Sequence, residues 1–141
     1  MKYFVIEPEV AGGLGEKTEG DFSVYPPLVT NLHYEFQGWL GDDILESFPC
    51  FLVSYNLSQS LKKTSLTGFD LDAAKITTSE LFNELYPNKT LPEFLWLKVN
   101  GKAGQDDFGI TEGSLLVVSN VALSHLKQFS FENVEEFEFV G

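Results

Sequence analysis

The chain has 141 residues, with 21 acidic and nine basic side chains and a formal net charge of −12 at pH 7. Every basic residue is a lysine; arginine, which supplies the bidentate contacts to phosphates and base edges, does not occur. This composition excludes nucleic acid and anionic membranes as favoured partners. It is consistent with a basic protein partner, or with acidity that serves solubility alone.

Apolar and polar residues follow one another in patterns that predict many short elements. We expect strands at 2–6, 32–36, 51–54, 68–76, 94–99, 115–119 and 134–140. We expect helices at about 55–63 and at about 120–128. Thr77 and Glu80 have the spacing of a capping box, which predicts a third, short helix that ends near Tyr86. The remaining segments are predicted as a turn with one helical turn at 38–49, and as Gly-rich loops at 11–21 and 101–109.

A near-repeat is the strongest internal pattern of the sequence. Residues 53–66 are VSYNLSQSLKKTSL and residues 118–131 are VSNVALSHLKQFSF, an offset of 65 with five identical positions. An apolar run precedes each copy and an alternating run follows it, so each unit predicts a strand, a helix and a strand. Ser54 and Ser119 stand at the N-cap position, where a hydroxyl can accept a bond from a free N–H of the first turn.

These elements together predict an α+β fold in a single domain, residues 1–141. We expect one mixed, mostly antiparallel sheet, three or four short helices, and two similar strand–helix–strand units. The lone Cys50 lies in an apolar run, which predicts a buried thiol and excludes an intrachain disulfide. The first residues lack the pattern of a signal peptide or a membrane span, so we expect a cytoplasmic protein.

Two Asp pairs occur in similar contexts, Asp42 and Asp43 in GWLGDD and Asp106 and Asp107 in GKAGQDD. Four carboxylates could hold Mg²⁺ or Ca²⁺ if the two loops converge. Asp43 and Asp107 could equally cap a helix or a turn, because Asp side chains bond to nearby backbone N–H groups. The EF-hand spacing is absent, so we expect no metal and no cofactor.

The other polar residues do not form a catalytic pattern. The segment GGLG at 12–15 lacks the spacing of a phosphate-binding loop. Asp70 and Asp72 alternate with apolar residues, as solvent-facing strand residues do. His33 and His125 lack the spacing of metal ligands, and no serine lies in a GxSxG elbow. We therefore expect no catalytic residue and no enzyme activity.

Trp39 lies in a turn between Gly38 and Leu40, and two roles are open for it. It could fill the core beneath the loop, as tryptophan side chains commonly do. It could also be an exposed anchor for a partner, because tryptophan is enriched in interface hot spots. Trp96, within the apolar run FLWLKV, is expected in the core.

The segment FLVSYNLSQSLKKTSLTGFDLD resembles the closing motif of immunity proteins from bacterial polymorphic toxin systems. In that family an apolar strand, a Ser cap, a helix and a GxxF strand follow one another. The matching positions are Val53, Ser54, Leu57, Leu61, Leu66, Thr67, Gly68 and Phe69. The later copy matches at Val118, Ser119, Leu126 and Phe131 and lacks the glycine. The likeness covers about residues 50–72 and 115–139.

The resemblance implies a non-catalytic protein that neutralises a cognate bacterial toxin by binding it. An acidic, arginine-free surface suits a basic toxin such as a nuclease, since opposite potentials speed encounter. We expect the partner to contact Trp39, Asp42, Asp43, Asp106 and Asp107. The alternatives are an interaction or structural module of another kind, or a small hydrolase or metal-binding protein that uses the Asp-rich loops.

Overall fold

The computed structural model describes residues 1–140 and shows an α+β fold with three short helices and thirteen strands. The strands are Tyr3–Glu7 (β1), Gly12–Leu14 (β2), Glu19–Asp21 (β3), Leu28–Asn31 (β4), His33–Phe36 (β5), Ile44–Ser47 (β6), Cys50–Ser54 (β7), Phe69–Asp72 (β8), Lys75–Thr78 (β9), Phe94–Val99 (β10), Phe108–Ile110 (β11), Leu116–Ser119 (β12) and Glu135–Glu138 (β13). The helices are Tyr55–Lys62 (α1), Glu80–Leu85 (α2) and Asn120–Leu126 (α3). Within the described residues, no helix has both the length and the apolar character needed to cross a membrane.

The expected single sheet is wrong, because the strands form four separate sheets. Two sheets have four strands each, in the orders β11-β12-β1-β13 and β6-β7-β10-β8. The third has the order β2-β5-β9, with β5 and β9 parallel, and β3 pairs with β4 alone. A fourth helix does not form within residues 1–140. The predicted helical turn at 38–49 is replaced by β6, which pairs with β7 across a two-residue connection.

The two four-stranded sheets share one topology and exchange a strand between the two halves of the chain. In each sheet two neighbouring strands form a hairpin and are followed in the chain by a helix. The strand after the helix belongs to the same sheet but is separated from the hairpin by one further strand, the central strand. The central strand comes from the other half, since β10 lies between β7 and β8 and β1 lies between β12 and β13. Each sheet is therefore completed by the opposite half of the chain.

The register of the exchanged strands is also repeated. Ser54 pairs with Phe94, the first residue of β10, and Ser119 pairs with Tyr3, the first residue of β1. Both pairings are antiparallel. The near-repeat in the sequence thus marks two structural copies that extend beyond the matching residues.

The expected N-caps of the repeat helices are confirmed. The hydroxyls of Ser54 and Ser119 accept bonds from the N–H of the third helical residue at 3.3 and 3.1 Å. The middle helix begins two residues later than expected. Its cap is Ser79, whose hydroxyl accepts from the third helical N–H at 3.0 Å, rather than Thr77. Local side-chain capping therefore sets the start of all three helices.

Two apolar cores lie on opposite faces of the β6-β7-β10-β8 sheet. The first contains α1 and α3 with residues of both four-stranded sheets, and the second is closed by β5 and α2. Along β7, Phe51 and Val53 face the first core while Cys50 and Leu52 face the second. Because both faces are buried, this strand has a continuous apolar sequence instead of an alternating one.

The Gly-rich segment 11–21 was predicted as a loop but contains β2 and β3. A Cβ on Gly12 would collide with the carbonyl oxygen of Glu35 on β5, and one on Gly20 would collide with that of Leu28 on β4. The glycines here permit close approach of neighbouring strands, a use that a sequence cannot distinguish from a turn.

Candidate functional site

Asp43 and Asp107 connect the two halves of the molecule at equivalent places. Asp43 accepts from the hydroxyl of Ser54 at 2.5 Å and from the backbone N–H of Ser130 at 2.8 Å. Asp107 accepts from the hydroxyl of Ser119 at 2.7 Å and from the backbone N–H of Thr67 at 3.0 Å. Each carboxylate holds the cap serine of its own half and the segment that follows the helix of the other half. We call these two arrangements the Asp–Ser clasps.

Asp42 and Asp106, the other members of the predicted pairs, differ in environment. Asp42 is 1% exposed, and its carboxylate accepts from the backbone N–H groups of Glu132 and Asn133 at 3.0 and 2.8 Å. Asp106 is half-buried and accepts from the backbone N–H of Lys102 at 2.7 Å. We expected Asp42 to be exposed and to contact a partner, and the expected exposure is wrong: its carboxylate oxygens accept hydrogen bonds inside the molecule. Within residues 1–140, no three or more His, Cys, Asp or Glu side chains are arranged to hold a metal ion.

Trp39 is half-buried, between the two roles that the sequence left open. Its ring meets Phe94 edge-on at a centroid distance of 5.7 Å, and its Nε1 donates to the carbonyl of Asp42 at 2.9 Å. Lys89 lies over the outer face, with its Nζ 5.4 Å from the ring centroid. One edge of the ring thus supports the second core, while the other side is accessible beside Tyr55. Trp96 is buried in the second core, as expected.

The structure brings together a serine and a histidine that the sequence did not connect. The hydroxyl of Ser60 on α1 and Nε2 of His125 on α3 are 2.9 Å apart. These residues occupy the same position in the two repeat copies, so the contact joins the helices of the two halves. No carboxylate among the described residues bonds to His125, and the orienting acid of a hydrolytic triad is absent there. His33 bonds instead to Thr77, at 2.6 Å from its Nε2.

Cys50 and the strand acids occupy the expected environments. Burial raises the pKa of the Cys50 thiol to about 12, so the thiol stays protonated and unreactive. Asp70 and Asp72 are exposed on β8, where Asp72 lies 3.5 Å from Lys98 and Asp70 accepts from Asn100.

A groove of about 550 Å³ that the sequence did not reveal lies where β1, β6 and β13 meet. Its acidic side chains are Glu7, Glu9, Glu46 and Glu135, and no lysine lines it. Its floor contains Ile6 and Leu116, and its rim includes Val10, Leu40 and Leu115. We call this feature the acidic groove. Glu7, Glu46 and Glu135 come from three strands distant in the sequence, and Glu9 lies just after β1, so no local motif indicates the groove.

Two of the acidic side chains of the groove are held in unusual settings. Glu9 is buried, and its carboxylate accepts from the backbone N–H groups of Leu40 at 2.7 Å and Asp42 at 3.3 Å. Burial, followed by the charge of Glu7, raises the pKa of Glu46 to about 7. Glu9 therefore fixes the Leu40 loop against the groove, whereas Glu46 changes charge near neutral pH.

Comparison with protein-family models and with curated protein sequences gave no match to this chain.

Proposed function

We propose that the chain is a non-catalytic binding protein that neutralises a cognate, basic bacterial toxin, like the immunity proteins that its repeat resembles. The observation that carries the proposal is the unpaired acidic charge of the fold. Residues 1–140 contain two ion pairs, Lys98 with Asp72 at 3.5 Å and Lys127 with Glu136 at 2.9 Å. Most of the 21 acidic side chains therefore form no ion pair within this part of the chain.

Unpaired acidic charge attracts a basic protein over distances longer than a contact. Opposite potentials raise the association rate constant, whereas the dissociation rate constant depends on the desolvated centre of the interface. A protein that must bind a toxin quickly benefits from a high association rate constant that does not depend on the contacts at the centre of the interface. The same charge repels nucleic acid. The chain would therefore contact a nuclease toxin directly, and not through nucleic acid bound to the toxin.

The polar groups that catalysis would use serve the fold in this chain. Ser54 and Ser119 cap helices and bond to Asp43 and Asp107, and Ser60 joins His125 across the helix pair. This use of the serines supports a binding role over a hydrolytic one. Partner contacts by Trp39, Asp43, Asp106 and Asp107 stay part of the proposal; Asp42 lends its buried carboxylate to the fold. We also propose a cytoplasmic location, which the free, buried Cys50 supports.

The test is the kinetics of binding to the product of the neighbouring gene, measured by surface plasmon resonance over a series of salt concentrations. We expect the association rate constant to fall by about tenfold or more as salt rises from low ionic strength to about 0.15 M, where the Debye length is about 8 Å. The dissociation rate constant should change much less. An association rate constant that does not change with salt would contradict the electrostatic proposal. Failure to bind the product of the neighbouring gene would favour an interaction module of another kind.

A further inference from the structure

The acidic groove keeps two like charges in direct opposition. Glu7 on β1 pairs with Glu135 on β13 in the antiparallel register, and both side chains are exposed. Like charges directly opposite each other on neighbouring strands destabilise a sheet. No lysine lines the groove to relieve the repulsion.

A third acidic side chain adds to this unfavourable arrangement. Glu46 approaches from β6, and the charge of Glu7 contributes to raising its pKa. The fold therefore tolerates these three carboxyl groups around one cavity without a lysine, in addition to Glu9, whose carboxylate accepts from two backbone N–H groups. Sites that keep such unfavourable charge are commonly functional, because a ligand supplies what the protein lacks.

The rim of the groove is apolar and open. Leu40 is 74% exposed, Val10 is 67% exposed and Leu115 is 44% exposed, while Ile6 and Leu116 on the floor are buried. A lysine or arginine side chain has the matching character, since its aliphatic stem can lie on apolar surface while its charged head reaches carboxylates. Aliphatic neighbours of that residue would cover the three exposed rim side chains.

We propose that the acidic groove binds a lysine- or arginine-bearing segment of the partner protein, with the cationic head among Glu7, Glu46 and Glu135. Apolar side chains that flank the cation pack on Val10, Leu40 and Leu115. This inference rests on the proposed function, and it names the surface and the chemistry of the partner segment.

Binding of a cation in the groove is linked to protonation of Glu46. The titratable groups around it are Glu7 and Glu135 on β1 and β13, Glu9 behind the Leu40 loop, and Tyr34, whose pKa is raised to about 12 and which stays neutral. Below about pH 7 Glu46 takes up a proton and the groove loses negative charge. The affinity for a cation should therefore be lower at pH 6 than at pH 8.

The experiment uses the full chain labelled with ¹⁵N and a short, blocked peptide that alternates lysine with leucine, followed by NMR titration at pH 8. We expect amide shift changes to concentrate at residues 6–10, 40, 46, 115–116 and 135. The double change E7Q/E135Q should weaken binding by at least about fivefold, and so should acetylation of the peptide lysines. The matched control E16Q/E84Q removes the same charge from exposed positions outside the groove and should change affinity by less than about twofold.

Three results would overturn the proposal: shift changes scattered over the acidic surface, equal weakening by the control pair, or no binding of the peptide. Retained amide spectra of both double variants would exclude unfolding as the cause of any loss. The assay needs no toxin, so the two proposals can fail separately. If the peptide binds in the groove but no basic protein partner binds the chain, only the proposed function is refuted. If a basic partner binds with an affinity that E7Q/E135Q does not change, only the role of the groove is refuted.

Discussion

Substitution of Glu46 by glutamine should make the protein more stable at pH 8, although it only replaces one carboxyl oxygen with an NH2 group. Burial and the nearby charge of Glu7 raise the pKa of Glu46 from 4.5 to about 7. Because the folded-state pKa exceeds the unfolded value, the folded state is favoured while the carboxyl is protonated. This advantage is complete below pH 4.5 and is lost as the pH rises through 7.

The size of the effect follows from the same pKa. Each pKa unit corresponds to about 1.4 kcal/mol, so the full rise is worth about 3 kcal/mol. Water reaches the open groove and screens the charges, which reduces the expected gain for E46Q at pH 8 to about 1–2 kcal/mol. For a chain of this length, that gain raises the melting temperature by about 3–6 °C.

Urea unfolding at pH 5 and pH 8, followed by circular dichroism, measures the difference. We expect E46Q to exceed the wild-type free energy of unfolding by about 1–2 kcal/mol at pH 8, and by a small fraction of that at pH 5. Glu84, exposed on α2, provides the control E84Q, which should change little at either pH. An equal effect of E46Q at both pH values, or a loss of stability at pH 8, would refute the assigned cause of the raised pKa.

Three further predictions concern the fold. Ser54→Ala and Ser119→Ala should each cost roughly 1–3 kcal/mol in urea unfolding, because each removes a helix cap and the bond to a clasp aspartate, and equal stability to wild type would contradict the clasps. Asp42→Ala should cost about 2–3 kcal/mol and Asp106→Ala about 1 kcal/mol or less, because the buried Asp42 accepts from two backbone N–H groups, whereas the half-buried Asp106 accepts from one; a larger loss for Asp106→Ala would contradict this reasoning. Fragments 1–88 and 89–141, expressed separately, should form a 1:1 complex by size-exclusion chromatography, because each holds the central strand of the other's sheet; a fragment that folds alone would contradict the exchange.

Elements fixed by local interactions were predictable from the sequence. The caps at Ser54 and Ser119 place an acceptor within three residues of the N–H that it satisfies, so a short pattern is enough to identify them. The bounds of β10 were predicted to the residue, because a run of large apolar side chains leaves few other structures open. Segments that depend on a distant partner were predicted less well. β6 was missed, and the strand expected at 68–76 is split between two sheets as β8 and β9.

The roles of the acidic residues show the same division. The sequence places Asp42 and Asp106 in equivalent contexts, yet one is buried and the other half-buried, because the segment around Glu132 folds over the first. Glu7, Glu46 and Glu135 meet because three strands converge, and their separation along the chain gives no sign of it.

The sequence by itself determined the charge, the repeat and the starts of the two repeat helices, since these depend on residue type and on neighbours a few positions away. The tertiary structure alone decided which half supplies the central strand of each sheet, which aspartates are buried, and where unpaired acidic charge meets exposed apolar surface. The physical reason is that strand pairing and burial are set by contacts between residues tens of positions apart, for which no local pattern exists.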